Sequence, residues 1–80
     1  MTFNRSAVGQ TIKALRAEKG VSQEVLSGLA GIGRSHLSMI ETGQKTANLE
    51  TIWKIAAAFN MNPSELIRRA ECIEDAEEQG

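Results

Sequence analysis

Apolar residues recur along this chain in five blocks. Each block has the three-to-four-residue spacing of a helix and is bounded by a capping residue, a glycine or a proline. In the first, Val8, Ile12 and Leu15 fall at i, i+4 and i+7, with Ser6 as the expected cap and Gly20 as the stop, predicting a helix to about Lys19. The second, about 22–30, opens at Ser22, carries Val25, Leu26, Leu29 and Ala30, and ends at Gly31. Gly28 inside it costs about 1 kcal/mol relative to alanine. The third, about 34–42, follows Gly33, a tolerated but weak cap. It turns Leu37 and Ile40 inward and is closed by the polar loop Gly43 to Ala47. Asn48 caps a fourth helix, about 49–59, whose expected buried stripe is Leu49, Ile52, Ile55, Ala56 and Phe59. Asn62-Pro63-Ser64-Glu65 joins a cap, a proline at the first helical position and a glutamate in the first turn. It predicts a fifth helix from Pro63 toward Glu77, with Leu66, Ala70 and Ile73 on one face and Glu65 paired with Arg69 at i,i+4. No strand is predicted, so the fold class is all-α.

The second and third blocks make two helices of about two turns each, joined by a short turn containing glycine. This helix-turn-helix arrangement lays its second helix in the major groove of DNA. Helices so short are unstable alone, and the other three are expected to pack them.

Eighty residues suffice for one small core. No apolar run approaches the roughly 18 residues needed to span a membrane, and no secretory signal is visible. Cys72, the single cysteine, cannot form an internal disulfide, which suits a reducing cytoplasm. His36 and Cys72 alone do not make a metal-ligand set. His36 sits at the groove edge or between helices and is given no catalytic role. The chain carries no catalytic constellation, phosphate-binding glycine loop or cofactor motif, which argues against an enzyme. The net charge of −1 hides an asymmetry: the last ten residues hold five acids (Glu71, Glu74, Asp75, Glu77, Glu78) and no base. Residues 1–70 carry nine Lys/Arg against five acids, a net of +4. The acidic end reads as a solvated helix face or a frayed terminus.

The spaced residues Ile12-Lys13-Ala14-Leu15-Arg16, Gly20-Val21-Ser22-Gln23-Glu24, Leu26, Ala30-Gly31-Ile32 and Arg34 through Gly43 closely resemble the Cro/lambda-repressor type (XRE-like) helix-turn-helix domain. Leu49-Glu50-Thr51-Ile52, Ile55-Ala56, Phe59-Asn60-Met61 and Pro63-Ser64-Glu65-Leu66 continue the resemblance, which covers about residues 7–67. It implies a compact five-helix domain, a homodimer on palindromic operator DNA, and a role in transcriptional regulation. Residues 1–67 would form the DNA-binding domain and 68–80 an extension of the fifth helix with an acidic tail. The resemblance also implies a structural ion pair between Arg16 and Glu41. The chain departs from the pattern at Ser27, where a small alanine is common, at Met39, where a long polar or basic side chain is frequent, and at Ala47, where proline is frequent.

With Leu37 and Ile40 inward, Arg34, Ser35, Ser38 and Met39 are the candidates for base contact. A guanidinium can donate two hydrogen bonds to guanine, the serines permit close approach, and Met39 suits a thymine methyl. The alternatives are a phosphate or solvent partner for Arg34 and plain surface serines. Gln23, with its amide at a helix N-terminus, suits a phosphate oxygen; otherwise it only opens the helix. Gln44, Lys45 and Thr46 are candidates to hold the DNA backbone, or form a solvated loop. Two copies would double the contacts. Trp53, Ile67, Ala70 and Ile73 are candidates for the surface between them, the alternative being completion of the monomer core, as is expected for Leu66.

The expected function is therefore a cytoplasmic, sequence-specific, DNA-binding regulator. It resembles stand-alone types such as restriction–modification controller proteins or small phage repressors, with no room after residue 67 for a sensory domain and no cofactor. RNA polymerase or another protein is a conceivable further partner. The competing expectation is an antitoxin-like protein-interaction module on the same fold.

Overall fold

The structure, a computed structural model, describes residues 4–79, and side chains through residue 73. Its helices run in the order α1 (Arg5–Lys19), α2 (Gln23–Ala30), α3 (Arg34–Glu41), α4 (Leu49–Ala58) and α5 (Pro63–Gln79), with no strand among the described residues. The side chains of Glu74, Asp75, Glu77 and Glu78 lie outside the described set.

Helices α1, α2 and α4 start where a short polar side chain satisfies an orphan N–H. Ser22 Oγ accepts from the Val25 N–H at 3.1 Å, and Asn48 Oδ1 accepts from the Thr51 N–H at 2.8 Å. Gly33 gives α3 no side-chain cap. The first cap differs from expectation. Asn4, not Ser6, caps α1, its Oδ1 accepting from the Ser6 N–H at 2.9 Å. Ser6 lies inside the first turn, where its hydroxyl accepts from Gln10 Nε2 at 3.2 Å. Two capping residue types stood two positions apart, and the earlier one takes the role.

The turn between α2 and α3 depends on Gly31. Its φ of 71° lies in the left-handed region, and the following Ile32 N–H reaches back to the Ser27 carbonyl at 3.0 Å. This closing pattern reverses the chain after a helix and strains any residue with a β-carbon.

Ile12, Leu15, Leu26, Leu37, Ile40, Ile55 and Leu66 are completely or almost completely buried, with Ala30, Ile52, Ala56 and Phe59 completing the core. Helix α1 packs on α3 and α5, α2 on α3 and α4, and α4 on α5. The two short helices are thus clamped between three others. At the α1–α3 crossing Gly9 is buried, and a β-carbon there would lie 2.3 Å from the Ile40 carbonyl oxygen and 2.6 Å from that of Glu41. Ser27 is buried in the place of the commoner alanine; its hydroxyl donates to the Glu24 carbonyl at 3.1 Å.

Two further expectations are corrected. Leu49 is 62% exposed rather than part of the buried stripe, because it starts α4 at the rim of a groove that no other element fills among the described residues. Arg69 pairs with Glu18 of α1 at 3.0 Å, not with Glu65, because the α1–α5 packing brings Glu18 within reach. Both side chains are well exposed, so this bridge contributes little.

Candidate nucleic-acid interface

Helix α3 has a strict division of labour. Leu37 and Ile40 are fully buried, while Arg34, Ser35 and His36 are exposed, Ser38 is half-buried and Met39 is 37% exposed. The four candidate base-contacting residues therefore all keep access to solvent on a helix whose other face is pinned in the core. Gln44, Lys45 and Thr46 follow as an exposed loop. Its path is fixed by the end of α3: the Gln44 and Lys45 N–H groups both donate to the Met39 carbonyl, at 2.9 and 3.2 Å. Gln44 Nε2 also donates to Thr42 Oγ1 at 3.1 Å.

Beneath this face lies a polar cluster joining three helices. Arg16 Nε donates to Glu41 Oε2 at 2.6 Å and Nη2 to Oε1 at 2.8 Å, a two-pronged pair between α1 and α3. The remaining Arg16 nitrogen, Nη1, donates to the Val21 carbonyl at 3.1 Å, in the segment leading into α2. Gln23, at the first position of α2, donates from Nε2 to Glu41 Oε1 at 3.0 Å. Burial by itself raises the Glu41 carboxyl. The hydrogen bonds from Arg16 and Gln23, and then the charges of Arg16 and Lys13, outweigh it and leave the pKa below the ordinary carboxylate value. Arg16 is raised in turn by its hydrogen bond to Glu41, against a smaller desolvation effect and with added support from the Glu41 charge. The link from Gln23 to Glu41 has no signature in the sequence; hydrophobic periodicity says nothing of polar contacts between helices.

The apolar residues offered for a protein–protein surface divide. Ile67 (41% exposed) shares a groove of about 450 Å³ with Leu49, Val8 and Ala70, between the start of α1, α4 and α5. Trp53 (58% exposed) lies in an adjoining shallow depression that Leu49 also lines. Ala70 is buried at the floor of the groove, and Ile73 lines a separate depression beside Thr11, Ala14 and Cys72. Leu49, placed in the core by its spacing, is the residue that joins the two apolar hollows. Leu66 is fully buried in the core. Among the described residues no group of acidic, His and Cys side chains could hold a metal, Cys72 is an exposed free thiol, and no helix is long and apolar enough to cross a membrane.

A short helix held from behind by Leu37 and Ile40, offering arginine, serines and methionine outward after a glycine turn, defines a helix-turn-helix DNA-binding domain. The chain belongs to the helix-turn-helix (HTH_3) family, whose model matches residues 12–66. This is a family of DNA-binding transcriptional regulators, not of enzymes. Among its relatives, the control protein C.BamHI of Bacillus amyloliquefaciens is 35% identical over 69 residues, covering 84% of this chain and 85% of that protein. The crystal structure of the restriction–modification controller protein C.AhdI from Aeromonas hydrophila superposes with a TM-score of 0.75 at 40% identity, over 78% of this chain and 94% of that one. The biofilm master regulator SinR, crystallised with DNA, superposes with a TM-score of 0.70 at 34% identity, over 75% of this chain and 97% of that one.

Proposed function

We propose that this chain is a sequence-specific transcriptional regulator that binds a palindromic operator as a homodimer, with α3 in the major groove. The observation that carries the reading is the division of α3: Leu37 and Ile40 wholly buried, Arg34, Ser35, Ser38 and Met39 left to solvent. A helix so held presents its first turns to base edges without itself being free to move. Arg34 is the main base-reading residue, Ser35 and Ser38 allow close approach, and Met39 takes an apolar contact. Gln23, Gln44, Lys45 and Thr46 hold the phosphate backbone. The similarity to C.BamHI, C.AhdI and DNA-bound SinR supports the DNA reading and favours a regulator of the controller or repressor type.

The dimer reading rests on the apolar side chains of Leu49, Trp53 and Ile67, which lie along α4 and α5 and are left largely exposed among the described residues. A chain that reads a few base pairs doubles its base contacts by pairing. The free, exposed Cys72 suits a reducing cytoplasm.

Selection of bound sequences from a random duplex pool, at about 150 mM salt to suppress non-specific retention, tests the reading. Enrichment of a palindrome with half-sites about one helical turn apart is the expected result. Weak, salt-sensitive retention without enrichment would overturn it in favour of a protein-interaction module of the antitoxin kind.

A further inference from the structure

We infer that Glu41 is a positioning residue for DNA binding, holding the Gln23 amide at the start of α2 so that one of its N–H groups is set for a phosphate oxygen. The inference rests on the proposed DNA-binding function and deepens it.

Glu41 is the last residue of α3, and its side chain is only 2% exposed. Its carboxylate receives three donors: Arg16 Nε on Oε2, and both Arg16 Nη2 and Gln23 Nε2 on Oε1. Turning it would break at least one charge-assisted bond. Arg16, through Nη1 and the Val21 carbonyl, fixes the segment that delivers Gln23. Gln23 is thereby held twice, its backbone by the start of the helix and its amide by a buried charge. A primary amide nitrogen carries two hydrogens. One serves Glu41, and the other remains for an acceptor outside the fold.

The benefit is preorganisation. A free glutamine surrenders rotamer freedom when it binds, whereas one already fixed in the folded chain has surrendered it beforehand. The comparison with Gln44 is direct: its amide reaches only the exposed hydroxyl of Thr42, a partner that is itself free to turn. On electrostatics alone, a carboxylate close to DNA weakens binding, so removing its charge should tighten the complex. Positioning predicts the opposite sign.

The test is a double-mutant cycle on duplex DNA, using Gln23→Ala, Glu41→Gln and the pair, with circular dichroism to confirm folding. Gln23→Ala should weaken binding about tenfold, the scale of one hydrogen bond to a charged acceptor, with the salt slope unchanged because the amide is neutral. Glu41→Gln should weaken wild-type binding to a similar extent and cost nothing further once Gln23 is alanine. Should Glu41→Gln fold poorly, Glu41→Asp takes its place, keeping the charge while drawing the acceptor back by one methylene. In the nuclear magnetic resonance spectrum the two Gln23 side-chain amide protons should be well separated in the wild-type chain and merge toward free-glutamine positions in the Glu41 variant. The inference falls if Glu41→Gln tightens binding, if its cost is the same with and without Gln23, or if Gln23→Ala changes nothing while the wild-type chain binds. A wild-type chain that retains no duplex at all overturns the DNA-binding function itself.

Discussion

Gly9 and Ile40 meet backbone to backbone: a β-carbon on Gly9 would lie 2.3 Å from the Ile40 carbonyl oxygen. Glycine is normally a liability within a helix. Here it lets α1 approach the end of α3 closely, and so fixes the depth at which the proposed recognition helix sits. Neither partner can yield, since Gly9 lies within α1 and the opposing atoms are backbone. Gly9→Ala should destabilise the fold by about 1–3 kcal/mol, the scale of overpacking. Chemical denaturation checks this; an unchanged midpoint would mean that α1 rides outward without cost.

Gly28 is the opposite case. It lies inside α2, and an added β-carbon would meet nothing within 4 Å. Gly28→Ala should stabilise the chain by about 1 kcal/mol from helix propensity alone, raising the melting temperature by about 4–8 °C for a domain of this size. Differential scanning calorimetry reads the shift.

Glu41 gives the fold an acid limit. Its pKa is lowered in the folded state by Arg16 and Gln23 against the opposing effect of burial. The stabilisation is therefore complete above the ordinary carboxylate value of 4.5 and is lost as pH falls through the lower folded value. Urea midpoints measured from pH 7 down to 3 should fall steeply below about 4.5. In Glu41→Gln that part of the slope should be missing and the stability at neutral pH lower, since Arg16 loses its charged partner.

Arg34 and Lys45 should separate by the kind of loss they cause. Arg34→Ala should cost about 1–3 kcal/mol on the selected operator and relax the preference at one base pair of each half-site. Lys45→Ala should weaken binding to every sequence and reduce the salt slope by about one unit per chain. Fluorescence anisotropy with operator and scrambled duplexes, over a range of salt, distinguishes them. Equal loss on both duplexes would demote Arg34 to a phosphate contact.

Ile67→Asp and Trp53→Ala should weaken self-association in sedimentation experiments. Because Trp53 is mostly exposed in the single chain, Trp53→Ala should alter monomer stability by no more than about 0.5 kcal/mol. A variant that remains as associated as the wild type would remove that residue from the proposed interface.

The helices and the core were legible in the sequence because both rest on local, periodic signals. Ser22, Asn48, Gly20 and Gly31 mark ends, and Leu37 and Ile40 repeat at the spacing of one buried face. Leu49 shows where that logic stops. It keeps the spacing of Ile52, but periodicity reports which side of a helix a residue is on, not whether a neighbour reaches far enough to cover it. Gly9 has no local signal in the sequence, since its value lies in an approach between segments some thirty positions apart. Arg69 chose a partner on another helix over the nearer glutamate. For the candidate site, the solvent-facing set on α3 followed from the two core positions. The Gln23–Glu41 bond, 18 positions apart, could not be read from spacing.

The chain has one tryptophan and no tyrosine. That tryptophan, Trp53, stands on the outer face of α4, while among the described residues the core is built from aliphatic side chains and Phe59. Its near-ultraviolet emission is thus almost blind to melting of the interior but responsive to whatever covers α4. On the proposed dimer, dilution should shift the emission to longer wavelength as copies separate, which would make Trp53 an optical gauge of that pairing.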